Sequence, residues 1–104
     1  MKYQLTLFVA GTSGTSQRAR RNLEEMFRQE LADQYTLEVV DVLEQPERAD
    51  KFDILVTPTL IKHMPLPLRK IVGDFGNKAE VLLGLDIFNK TVEASALYTQ
   101  ANER

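Results

Sequence analysis

The sequence predicts a single α/β domain that opens with a βαβ unit. Two observations carry this: strand-like apolar runs at both ends of the first forty residues, and a helix-period stripe between them. A third observation leaves the rest open. Residues 53–87 satisfy strand and helix patterns at once, so the second half has two candidate architectures.

In the first strand, Tyr3, Leu5, Leu7 and Val9 share one face, and Phe8 and Ala10 make the other face partly apolar. Two apolar faces predict a central strand. The loop GTSGTS, residues 11–16, follows, with Thr15 or Ser16 as the expected helix cap. Ala19, Leu23, Met26, Phe27 and Leu31 then recur at helical spacing, while Arg20, Arg21, Glu24, Glu25 and Arg28 form a solvated face. Residues 35–43, YTLEVVDVL, predict a second strand, parallel to the first through a right-handed crossover. Gln45-Pro46-Glu47 is suited to open a short helix with Pro46 as its first residue.

The next stretch does not choose. Residues 54–61 are an apolar, β-branched run of strand length, but Pro58 lies inside it. A strand reading confines that proline to an edge, a bulge, a strand start or a cis Thr57–Pro58 bond. A helix reading makes Thr57 the cap and Pro58 the first helical residue, with Leu60, Ile61 and Met64 on one face. Pro65 would end that helix, and Pro67 could open another through Leu68 and Val72. Further on, Leu83, Leu85 and Ile87 alternate with Gly84 and Asp86 as in a strand. Val81, Leu82, Leu85 and Phe88 form a helical stripe over the same residues. Residues 89–104 thin to a polar tail expected to fray, leaving an ordered core of about residues 3–88 within one domain spanning 1–104.

Composition narrows the function classes. A chain of 104 residues with 43% hydrophobic and 27% charged residues matches an ordinary soluble domain. A net charge of −2 gives no electrostatic case for nucleic acid or an anionic membrane. Zero cysteines remove disulfides, thiolate metal sites and dithiol redox chemistry. The opening run MKYQLTLFVAG is broken at Gln4 and Thr6, so no signal peptide or membrane span is legible, and the cytoplasm is the expected compartment. His63 has no second histidine with which to share a metal and is expected at the surface or half-buried. Asp41, Asp74 and Asp86 show no acid–base spacing, and Asp74 in GDFGN is expected to fix a turn. Neither a catalytic residue nor a cofactor is expected.

Longer segments are more specific. YQLTLFVAG, YTLEVVDVLEQP, DILVTPTL and PLPLRKIVGDFGNKAEVLLGLDI resemble, in order and spacing, the KaiB family of circadian clock proteins, from about Tyr3 to Phe88. The resemblance implies a small non-enzymatic regulator related to thioredoxins. It also implies two folds: a βαββααβ ground state, usually tetrameric, and a βαβαββα thioredoxin-like monomer with the proline at position 58 cis. The switched form of the family binds the ATPase ring of KaiC, and the complex then captures KaiA and a histidine kinase. Thr57, Pro58, Gly84 and Asp86 fall at the family's switching segments. The loop after the first strand lies where a thioredoxin carries its redox dithiol, but here it holds Thr12, Ser13, Gly14, Thr15 and Ser16.

The chain departs from the clock-type pattern on the side that meets KaiC. Glu38, Glu44 and Asp53 stand where clock-type members carry basic residues, which changes complementarity toward a partner adapted to that type. The family's loop AGNTPNS reads AGTSGTS, and its acidic tail is replaced by ALYTQANER. Two function classes follow. One is a regulator of a KaiC-like ATPase, acting in a clock or in timing and stress signalling. The other is a KaiB-like adaptor in a kinase or stress-response pathway without KaiC contact. KaiA-like proteins, a histidine kinase and a homodimer or tetramer complete the expected partners.

Overall fold

A computed structural model describes residues 2–87. The elements run β1 (Tyr3–Val9), α1 (Gly14–Leu31), β2 (Tyr35–Asp41), α2 (Pro46–Lys51), β3 (Thr59–Met64), β4 (Arg69–Val72) and α3 (Lys78–Gly84). This βαβαββα order is the thioredoxin-like arrangement of the two that the sequence allows. The four strands form one sheet in the order β2-β1-β3-β4. β1 is central, as its two apolar faces predict. It pairs in parallel with β2, from Tyr3 opposite Tyr35 to Val9 opposite Asp41, and antiparallel with β3. β3 and β4 form an antiparallel hairpin.

Alternation along β1 divides the core in two. Leu5, Leu7 and Val9 face α1 and α3, where they pack with Leu23, Phe27, Leu60, Val81, Leu82 and Leu85. Phe8 faces the other way and packs with Val40 and Ile61, under Val42, Phe52 and Ile54. The first layer is thick and the second thin. Among the described residues only α2, a helix of six residues, covers the second side.

Several boundaries differ from expectation for local reasons. α1 starts earlier than predicted. Ser13, extended at φ −59° and ψ 157°, is the cap, and its Oγ accepts from the Ser16 backbone N–H at 3.1 Å. Ser16 is instead buried inside the first turn. β2 stops at Asp41, whose carboxylate accepts from the N–H groups of Gly11 and Leu43 at 3.0 and 2.9 Å. That bond turns the chain, and Leu43 points into solvent.

In the ambiguous stretch the strand reading holds for 59–64, but it begins after Pro58 rather than before it. The Thr57–Pro58 bond is cis, as are Met64–Pro65 and Leu66–Pro67. Residues 54–57 lie outside any strand, and the helices that Pro58 and Pro67 could have opened are absent. Residues 81–84 take the helical reading. Val81, Leu82 and Leu85 are buried, whereas Leu83, which strand alternation would group with Leu85, is 54% exposed. Phe88, the fourth member of that stripe, and the tail 89–104 lie outside the described residues.

Candidate protein-interaction surface

The thin layer around α2 gathers the three acids singled out from the sequence as partner-binding, Glu38, Glu44 and Asp53. Pro46 opens α2 at its first turn, as expected, behind Gln45, which offers no side-chain cap. Ala49 is buried against the sheet, and the Ala49 carbonyl accepts from the Ile54 N–H at 2.9 Å. The Lys70 ammonium reaches across from β4 and donates to the Phe52 carbonyl at 2.6 Å, where α2 leaves free carbonyls and a cation is favourable.

Glu38 shares its face of β2 with Val40 and so looks toward α2. There it meets Arg48 in a fork of two bonds, Nη1 to Oε2 at 2.6 Å and Nη2 to Oε1 at 2.7 Å. Donation from Arg48 holds the Glu38 carboxyl below the ordinary carboxylate range. Glu44 lies exposed just before α2, and Asp53 lies exposed just after it with φ +54°. The three acids therefore bracket one short helix. They are not equivalent. Glu38 is neutralised by Arg48, while among the described residues no side-chain hydrogen bond or ion pair is observed at the Glu44 or Asp53 carboxylate.

Beside Asp53 the surface becomes apolar. A groove of about 500 Å³ runs between Ile54, Leu55, Val56 and Val72, with Asp53 and Lys70 at its ends. Leu55 is 91% exposed, and Val56 and Val72 are more than half exposed. Three large aliphatic side chains open to water at one place mark a binding surface better than scattered ones would. β4 borders the groove at the edge of the sheet, so among the described residues one side of its backbone has no strand partner.

Of the four positions expected to take part in a fold switch, half-buried Thr57 and buried Pro58 lie just before β3, and Gly84 and Asp86 lie at the end of α3. Gly84 ends α3, and a methyl group added there would meet Ile71 Cγ2 at 3.1 Å. Asp86 is not helical. It sits beyond the helix end with φ +60°, flanked by bonds from its own N–H to the Leu83 carbonyl (3.1 Å) and from Ile87 N–H to the Leu82 carbonyl (2.8 Å). This pair of bonds is the Schellman helix stop. Its left-handed backbone, not a helical one, is what Asp86 contributes to this fold. Nearby Lys62 is nearly completely buried on β3. Burial pushes its ammonium pKa down, Asp86 opposes the shift, and Arg69 adds to it.

Sequence reasoning passed over Arg48, Phe52 and the environment of His63. His63 is half-buried, as expected, and faces α2, with its Nε2 2.9 Å from Thr6 Oγ1 and its ring edge-on to Phe52 at 5.2 Å. The one available signal was the aromatic Phe52 in an otherwise polar segment. Asp74 does fix its turn, accepting from the Gly76 N–H at 3.0 Å. Among the described residues no group of three or more His, Asp or Glu is placed to hold a metal, and no helix is long and apolar enough to cross a membrane.

Comparison with known proteins gives this surface a context. Residues 6–87 match the KaiB domain. The chain belongs to the KaiB family. Among KaiB relatives, the circadian clock protein KaiB3 of Synechocystis sp. is 52% identical over 83 residues, 80% of this chain and 81% of the relative. The circadian clock oscillator protein KaiB of Trichodesmium erythraeum is 44% identical over 101 residues, covering 97% of this chain and 88% of its own. Among solved structures, the N-terminal domain of Synechococcus elongatus SasA aligns with a TM-score of 0.64 at 27% identity, over 71% of this chain and 70% of that one. Mitochondrial thioredoxin 3 of Saccharomyces cerevisiae aligns with a TM-score of 0.65 over 82% of this chain and 77% of its own. At 20% identity that likeness is one of fold alone. This KaiB-family chain therefore has a thioredoxin-like fold without a cysteine to support thioredoxin chemistry.

Proposed function

We propose that this protein is a clock-type regulator that binds a KaiC-like ATPase through the α2 surface and modulates its phosphorylation and signalling cycle in the cytoplasm. The supporting observation is the exposed Leu55–Val56–Val72 groove beside α2 in a chain of the KaiB family. The groove supplies apolar area, and Glu44 and Asp53 supply charge at its approach. A KaiA-like protein or a histidine kinase joins the assembled complex, and a homodimer or tetramer is the resting form. The protein acts by binding, so insulin disulfides are not turned over above a protein-free blank. Measurable turnover would refute this.

Binding to the KaiC-like ATPase of the same source, with and without nucleotide, is the direct test. Leu55→Asp alters an exposed side chain, so the fold should tolerate it, and it should weaken the complex by about tenfold or more. Glu38→Lys with Asp53→Lys should weaken the same complex and improve binding to a clock-type KaiC, chiefly through association rate at low salt. Glu38→Lys also sets a cation against Arg48, so Asp53→Lys alone is the cleaner probe. If the native protein binds no KaiC-like ATPase in either nucleotide state, the adaptor reading replaces this one.

A further inference from the structure

We propose that His63 is a proton-sensitive latch for α2: the neutral imidazole seats the helix on the sheet, and protonation loosens it. The geometry is a pile of tilted rings, edge-on at His63. Phe52, at the C-terminal end of α2, lies between Phe8 at 6.0 Å and His63 at 5.2 Å. His63 is fixed from below by Thr6 of β1 at 2.9 Å. Beyond these rings and buried Ala49, α2 is held by the exposed Arg48–Glu38 fork and the Lys70–Phe52 bond.

The charges facing the rings are mostly positive. From α2 come Arg48 and Lys51, the latter 5.7 Å above the Phe52 ring, and from β4 comes Lys70. From β2 comes Glu38, already engaged by Arg48. A proton on His63 therefore adds a cation to a half-buried site where Arg48 already acts on it and the facing acid, Glu38, is engaged by that same Arg48. Two responses are open to it: hydration, which requires Phe52 to move away, or competition with Arg48 for Glu38. Both detach α2. Burial pushes the His63 pKa below the ordinary imidazole range, Glu38 opposes this, and Arg48 reinforces it.

The sign follows from linkage. A histidine whose folded pKa is depressed binds fewer protons in the folded than in the open state. The seat is then fully stable above the ordinary value of about 6.5 and weakens as pH falls from there to the folded pKa. The proposal stands whatever partner α2 meets.

The chain has a single histidine, so the imidazole resonances of the full-length protein report this site without ambiguity. An NMR titration from pH 8 to 5 should give a midpoint below that of a free histidine peptide. Over the same range, protection factors of α2 amides, corrected for intrinsic exchange, should fall by up to about tenfold per pH unit. Those of β1 should hold. His63→Gln keeps a polar contact for Thr6 but cannot titrate, and should flatten the α2 profile. Arg48→Gln frees Glu38 for the imidazolium and should raise the midpoint. A native midpoint at or above the free-peptide value overturns the proposal, as does α2 protection that is independent of pH. An unchanged acid-induced loss in His63→Gln would also overturn it.

Discussion

At residue scale, Asp86 shows how one backbone angle sets a side chain's role. With φ at +60° it occupies the position after a helix that glycine usually fills, and aspartate and asparagine are among the few other residues that tolerate it. Ile87 then turns inward, fully buried, to close over Leu82. Asp86→Asn should therefore change the stability of this fold by less than about 0.5 kcal/mol, whereas Asp86→Ala should lose about 1 kcal/mol to the left-handed backbone. Urea denaturation of the three proteins measures both. Equal losses in the two variants would show that the carboxylate's charge near Lys62, not the backbone, is what matters. The α3 helix ends at Gly84. The residue that turns the chain lies two positions later.

At the scale of elements, β1, α1 and β2 were legible because each carries one apolar pattern: both faces of β1, a single stripe of α1, and half-buried residues at alternate positions of β2. Periodicity could not decide residues 53–87, where the same side chains fit two lattices. Burial decided. Leu82 and Leu85 face Leu60 and Leu7 across the sheet layer, and Leu83 is left to water. The candidate surface was legible in part. Family pattern singled out Glu38, Glu44 and Asp53, but only the fold brings them around one helix, and nothing in the sequence showed that Arg48 would fork onto Glu38 ten positions away on another element. Tertiary contact also bears on the effect of Gly84→Ala. Removing glycine from a helix gains up to about 1 kcal/mol over alanine in the interior, and less at a last turn. Here the new methyl group would press on Ile71 Cγ2 at 3.1 Å, so the neighbour must yield. Gly84→Ala should thus stabilise α3 more in an Ile71→Ala background than in the native one, with a coupling of about 0.5 kcal/mol or more in a double-mutant cycle. Additive effects would mean that β4 shifts without cost.

At the scale of the whole molecule, the two layers differ in kind. The α1–α3 side holds a continuous apolar cluster, and the α2 side rests on Phe8, Val40 and Ile61 with a few half-buried neighbours. The first is built for stability, and the second leaves its helix able to respond to a partner. The family resemblance adds a second fold to this picture, and we carry that switch as a proposal about the chain, with Gly84 and Asp86 at its C-terminal hinge. If the thioredoxin-like form is monomeric and the other form tetrameric, mass action links their populations. The ratio of tetramer-borne to monomeric chains then varies with the cube of free monomer, so a tenfold fall in monomer shifts it by about a thousandfold. Dilution should therefore enrich the monomer, with α3 helical at residues 78–84 by NMR and a falling mass by light scattering. Apparent affinity for a partner that selects the monomer should improve on the same dilution, because it scales with the competent fraction. A single set of thioredoxin-like resonances with constant monomer mass from high to low concentration would show that this chain keeps one fold.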